Sequence, residues 1–328
     1  MEKRLKNGQH WTDTQGNPIH AHGGCILKIE DRFYWYGEDR RKNYYVSCYS
    51  SRDLMNWKFE NHILTTESKI LKYYDSAQLK NEDGKKINIE RPKIIYNEIT
   101  KKYVMWAHYE NGYDYKQAAV AIASCDSPTG DFCYHGCFNP LQNMSRDCTL
   151  FIDKNNTPFF VSTAQNNANL NVYSISDDYM SVNKLEKVLF KGEYREAPAF
   201  FETRDKLFLL TSKCTGWSPN QGGYAHADNM ISRWSEIYDF GDETTYHTQP
   251  AFVLTLNTNQ GKQYVYIGDR WGGNEWNGVD RNDFVYDNSS YYFSLINIDE
   301  SNVINLEKCN EFTFDINTSS FRVWNSEK

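Results

Sequence analysis

The sequence predicts an all-β fold, a five-bladed β-propeller, on three observations. Its apolar stretches are short, aromatic and β-branched, and Gly, Asp and Asn break them at close intervals, which is the signature of antiparallel strands. One order of features recurs along the chain: a polar group, an apolar strand, a turn, then an aromatic strand. The recurrence has a period of roughly the 40–50 residues that a propeller blade occupies. No helical period is sustained long enough to compete. A β-sandwich would also use short strands, but it would not explain the repeated order.

The first unit follows a polar lead-in of about residues 1–19. It opens at His20-Ala21-His22-Gly23-Gly24 and continues through Cys25 to Ile29, the turn Glu30-Asp31-Arg32, and Phe33-Tyr34-Trp35-Tyr36-Gly37. The second begins at Glu90-Arg91-Pro92-Lys93, with Lys102 to Ala107 as its aromatic strand. The third begins at Arg146-Asp147-Cys148, and the fourth at Tyr194-Arg195-Glu196-Ala197-Pro198. The fifth starts at Thr248-Gln249-Pro250, with Tyr264 to Gly268 behind it. No linker, low-complexity run or shift in composition divides the chain. Residues 1–328 are therefore expected to form a single five-bladed propeller.

The composition narrows the function. A net charge of −7 without a basic run argues against a nucleic-acid partner. No apolar run is long enough to span a membrane. Eight cysteines lie mostly in apolar stretches, where a free thiol behaves as a small hydrophobe. Cys133 and Cys137 lack a second ligand pair at zinc-site spacing and read as structural. With no apolar core behind the basic start at Met1 to Lys6, no secretion signal is visible, and a cytoplasmic location is expected. The chain offers no dense acidic cluster of the kind calcium prefers, so no cofactor or essential cation is expected. Surplus surface aromatics often serve flat sugar faces, which leaves an oligosaccharide or polysaccharide open as a partner.

The repeat also locates the chemistry. The first strand of each blade lines the central channel, so the polar group just before it lies at one end of the axis. His20 to His22, Glu90, Asp147, Glu196 and Gln249 should converge there. Carboxylates brought together from separate blades repel if all are ionised, so one should have a raised pKa and act as proton donor. Arg91, Arg146 and Arg195 adjoin these acids and read chiefly as structural clamps.

At these residues the chain resembles glycoside hydrolase family 43, and within it the exo-β-1,3-galactanase branch. His20 to Gly24, Tyr34 to Glu38, Glu90 to Lys93, Arg195 to Pro198, Thr215 to Gln221, Thr248 to Pro250 and Gly268 to Trp271 carry the resemblance. It implies a five-bladed propeller that hydrolyses glycosidic bonds with inversion. Glu196 matches the general acid and Asp147 the aspartate that tunes it. The family's first-blade aspartate base is absent, as it is in the galactanase branch. There Gln249 matches a glutamine proposed to orient the water, and Glu90 matches a further glutamate of the pocket. Either Gln249, through an imidic tautomer, or Glu90 would then activate the water. Glu38, His22, Tyr113, Thr215, Trp217 and Arg270 are the expected sugar contacts, Trp217 as a stacking face. The expected activity is release of galactose from β-1,3-galactan or its oligosaccharides. The alternatives are an α-L-arabinofuranosidase, β-galactofuranosidase or β-xylosidase, or a non-catalytic carbohydrate-binding propeller, against which the retention of both Glu196 and Asp147 argues.

Overall fold

The computed structural model describes residues 4–272 and 282–325, with the backbone alone at residues 282–284. After a two-residue strand, β1 (Leu5–Lys6), the chain lays down four-stranded antiparallel sheets one after another. The first holds β2 (His22–Ile29), β3 (Arg32–Glu38), β4 (Tyr44–Ser51) and β5 (Lys58–Thr65). The second holds β6 (Asn88–Asn97), β7 (Lys102–Glu110), β8 (Ala119–Cys125) and β9 (Cys133–Phe138). In the third are β10 (Cys148–Ile152), β11 (Pro158–Ala164), β12 (Asn169–Ile175) and β13 (Val182–Leu189). The fourth comprises β14 (Arg195–Glu202), β15 (Leu207–Lys213), β16 (Gly222–Ala227) and β17 (Tyr238–Phe240). The fifth comprises β18 (Gln249–Thr258), β19 (Gly261–Arg270), β20 (Ser290–Ile298) and β21 (Ile304–Leu306), with the helix α1 (Asn282–Asp287) between β19 and β20.

A sixth sheet overturns the five-bladed expectation. β22 (Glu311–Asp315) pairs with β23 (Ser320–Trp324) on one side and with β1 on the other, where Leu5 lies opposite Phe312. Among the described residues the fold is an all-β propeller of six blades, the sixth three-stranded. Its physical origin explains why a local pattern misses it. One of its strands is two residues long, and that strand finds its partner at the far end of the chain.

Each sheet interior follows from its residues. Ile26, Trp35 and Tyr49 of the first blade share one buried core with Phe293 and Phe312 of the later ones, in which Trp11 packs on Trp35, Phe293 and Phe312. All eight cysteines are free thiols, and Cys25, Cys48, Cys137, Cys148 and Cys309 are buried among apolar side chains.

Four inner strands, β2, β6, β14 and β18, share one irregularity that β10 lacks. The pairing register shifts between His22 and Cys25, Glu90 and Lys93, Glu196 and Ala199, and Pro250 and Phe252. Bulges of this kind end regular pairing and re-aim side chains, and they concentrate beside active sites. In three of the four, a residue at the shift has a left-handed backbone: Gly23 (φ 59°), Arg91 (φ 50°) and Ala197 (φ 56°). Each of these backbone N–H groups donates to a carboxylate from another blade. Gly23 donates to Asp269 at 2.8 Å, Arg91 to Glu38 at 2.8 Å, and Ala197 to Asp147 at 3.0 Å. The bulges therefore join blade to blade through acids, at the same end of the axis.

Candidate active site

That end of the axis holds a cavity of about 320 Å³, lined by Glu38, Arg40, Glu90, Arg91, Tyr115, Asp147, Glu196, Gly216, Trp217, Gln249 and Trp271. Four of the polar groups expected to converge from separate blades do so: Glu90, Asp147, Glu196 and Gln249. A larger cavity lies elsewhere, between the fifth and sixth blades, and contains none of them.

Glu196 stands just before the bulge of β14. Gln249 Nε2 donates to its Oε1 at 3.0 Å, and Asn167 Nδ2 reaches its Oε2 at 3.3 Å. Burial pushes the carboxyl up, Asp147 adds like-charge repulsion, and Arg91 only partly opposes them. The result is a pKa raised to about 7. At neutral pH a large fraction of Glu196 therefore carries the proton that a general acid needs.

Asp147 is tied on both sides. Its Oδ2 accepts from the Ala197 N–H and lies 2.7 Å from Arg91 Nε. Arg91 completes the arrangement, with one terminal nitrogen on Pro250 O at 3.0 Å and the other on Gln249 Oε1 at 2.5 Å. Gln249 Oε1 also accepts from Trp271 Nε1 at 2.8 Å, and its Nε2 donates to Ser212 Oγ at 3.0 Å. All four hydrogen-bonding positions of the amide are thus occupied, and its orientation is fixed.

Across the cavity Glu90 accepts from Tyr115 Oη at 2.6 Å, Asn88 Nδ2 at 3.1 Å and Arg40 at 3.1 Å, all at Oε1. Arg40 bridges from there to Glu38 Oε2 at 2.9 Å. Burial opposes ionisation of Glu90, yet Arg40 and His108 outweigh it and hold the group well below the usual carboxylate range. Glu38 goes the other way: burial raises it more than Arg40 lowers it.

A model of glycosyl hydrolases family 43 matches residues 16–249. The chain belongs to that family. Its structure is similar to that of an exo-β-1,3-galactanase from Clostridium thermocellum, at 36% identity and a TM-score of 0.88, over 99% of this chain and 69% of that one. A family 43 β-1,3-galactosidase matches at 32% identity and TM-score 0.83, over 95% of this chain and 64% of its own length. An exo-β-1,3-galactanase from Phanerochaete chrysosporium, solved with β-1,3-galactotriose, matches at 28% identity and TM-score 0.83, covering 98% and 71% respectively. The chain thus spans about two thirds of the length of these relatives. Comparison with curated proteins returned no match.

In this family 43 hydrolase the remaining sequence-predicted residues have different places. Trp217 lines the cavity with its ring edge-on to Trp271 at 5.0 Å. His22 is buried beneath it, bonded to Asp269 at 3.0 Å and stacked on Tyr291, so it supports the bulge of β2 and does not line the cavity. Tyr113 is exposed outside the cavity; Tyr115, two residues on, supplies the hydroxyl. Thr215 does not line it either, and spends its hydroxyl on Ser218 O within its own loop. Arg270 faces the cavity between the fifth and sixth blades, where it bonds Tyr246 O at 2.9 Å. Of the three arginines read as clamps, Arg195 fills that role inside the fourth blade through Thr211, and Arg146 bonds Tyr115 O. Arg91 instead enters the site. Arg40 and Tyr115 also line the cavity, and the blade repeat does not mark either of them. The only hint of Arg40 in the sequence is its place two residues after Glu38.

Proposed function

We propose that this hydrolase is an exo-acting β-1,3-galactosidase that removes galactose from the ends of β-1,3-galactan or its oligosaccharides. The observation that carries the chemistry is Glu196, a half-buried carboxyl raised to about 7 at the wall of a cavity open to solvent. The volume of about 320 Å³ is at the small end of the roughly 300–1,000 Å³ of ligand pockets, a size for a terminal sugar rather than a long run of them. The similar galactanases and galactosidase support the choice of sugar and linkage.

In this reading Glu196 donates its proton to the departing glycosidic oxygen while a water attacks the anomeric carbon from the opposite face. Substrate oxygen displaces Gln249 from Glu196, the freed Nε2 hydrogen holds the water through one of its lone pairs, and the proton that the water loses as it bonds to the anomeric carbon passes to solvent water in the open cavity. Glu90 is too strongly held as an anion to be an effective proton acceptor, so it binds sugar hydroxyls. Gln249→Ala is then expected to lose kcat, whereas Glu90→Gln chiefly raises KM.

The test is proton NMR of the protein acting on β-1,3-galactobiose, with arabinofuranosyl and galactofuranosyl substrates in parallel. First release of α-galactose, abolished in Glu196→Gln, is the expected result. Cleavage of a furanoside alone would overturn the assignment of sugar, and first release of β-galactose would overturn inversion.

A further inference from the structure

We propose that His108, clamped by Glu110, is a positioning residue that keeps Glu90 ionised and leaves one of its oxygens available for a sugar hydroxyl. The inference rests on the reading of Glu90 as a substrate-binding carboxylate. His108 and Glu110 lie two apart on β7, so their side chains emerge on one face, and His108 pairs directly with Glu90 on β6. All three are buried. His108 Nε2 is 2.8 Å from Glu110 Oε1, while Glu110 Oε2 accepts the Ala118 N–H at 3.0 Å. The other ring nitrogen, Nδ1, lies 3.4 Å from Glu90 Oε2 and has no closer partner.

Two arguments identify the ring as an imidazolium. A neutral ring would present a lone pair to one of the two carboxylates it lies between; only the protonated ring presents N–H to both. Charge balance points the same way. Glu38, Glu90 and Glu110 are three buried carboxylates, and Arg40 is the guanidinium that bridges the first two. Arg91 directs its guanidinium to Asp147, Gln249 and Pro250. Buried charges require nearby partners, and His108 supplies the second cation of this cluster.

The groups facing the ring are Glu90 from β6, Glu110 from β7 and Tyr115 from the following loop at 5.9 Å between ring centres, while Cys148 of β10 meets the backbone of His108. Arg40 lies beyond Glu90. Burial alone would lower the imidazole, but Glu110 and Glu90 outweigh it and raise it to about 9. Glu90 Oε1 already receives Tyr115, Asn88 and Arg40, so the acceptor left for substrate is Oε2, held in place from behind by His108.

The experiment has a substrate-free arm and a kinetic arm. In the free wild-type protein, the His108 ring, assigned by its absence from the NMR spectrum of His108→Gln, is expected to titrate near 9. In kinetics on β-1,3-galactobiose, His108→Gln should raise KM about ten-fold with a much smaller change in kcat, the scale of one charged hydrogen bond. Wild-type KM should worsen as pH rises through about 9. Glu110→Gln should bring that change to lower pH, and His108→Gln should remove it. A ring titrating at or below the ordinary histidine value would overturn the proposal, as would wild-type KM in both folded variants. If the variants fail to fold, the titration decides, with the ring assigned through its contacts with Glu110 and Tyr115. Because the titration needs no substrate, failure to cleave galactobiose would refute the galactosidase reading without touching this one.

Discussion

Glu196 shows how one side chain acquires a function from its surroundings. Its carboxyl is half-buried beside Asp147, and desolvation and the like charge together raise it to about 7. The protonated form is the active one, so activity should fall as pH rises through about 7. Asp147→Asn removes the like charge, and the fall should then begin at lower pH. The measurement is the pH dependence of kcat/KM on β-1,3-galactobiose for both proteins; superimposable alkaline limbs would show that Asp147 does not tune the acid. Glu90, Asp147, Glu196 and Gln249 were legible in the sequence because each stands immediately before or at the start of an inner strand, where the blade repeat fixes its direction. Arg40, Tyr115 and His108 were not, because they come from loops and from a second strand. Tyr113 and Tyr115 have the same local composition, and only the path of the loop decides which hydroxyl reaches Glu90.

Among the elements, the bulged inner strands matter most. A regular strand would alternate its side chains between the two faces; a left-handed residue at the bulge breaks the alternation and turns a backbone N–H toward an acid of another blade. Gly23 is the most constrained of these positions. With φ at 59°, a Cβ there would lie 2.7 Å from Glu38 Oε1 and 3.3 Å from the Arg91 backbone. Gly23→Ala should therefore cost about 1–3 kcal/mol through backbone strain and displace Glu38. The expected outcome is a lower urea midpoint together with a raised KM, because Glu38 carries Arg40 and Arg40 carries Glu90. A fully active Gly23→Ala protein would contradict that chain of contacts. His20-Ala21-His22-Gly23-Gly24 marked the start of a blade in the sequence, but the reason for its glycine was not visible there. It depends on a side chain from the next strand and a backbone from the next blade.

At the scale of the whole molecule, the sixth blade decides how the propeller closes. The blades from β2 to β21 follow one another in sequence, and within each the strands pair in the order in which they occur, so repetition reveals them. β1 and β22 are separated by almost the entire chain, and the lead-in carries no pattern of its own. What holds it in place is Asn7. Its Nδ2 donates to Phe293 O at 2.8 Å and Cys309 O at 3.0 Å, and its Oδ1 accepts the Phe293 N–H at 2.9 Å. One side chain thus joins the start of the chain, the fifth blade and the approach to β22. Trp11 follows at once, donating to Lys6 O at 2.6 Å and packing its ring 5.0 Å from Phe293 and 5.7 Å from Phe312. Asn7→Ala leaves two carbonyls and an N–H without their partner, an expected cost of about 2 kcal/mol or more. Urea unfolding should register it as a lower midpoint, whereas kcat/KM on β-1,3-galactobiose below the transition should equal that of wild type, since Asn7 is remote from Glu196. An unchanged midpoint would mean that the sixth blade merely rests on the other five. A lower midpoint with unchanged kinetics would mean that the chain ends stabilise the propeller while its five longer blades build the site.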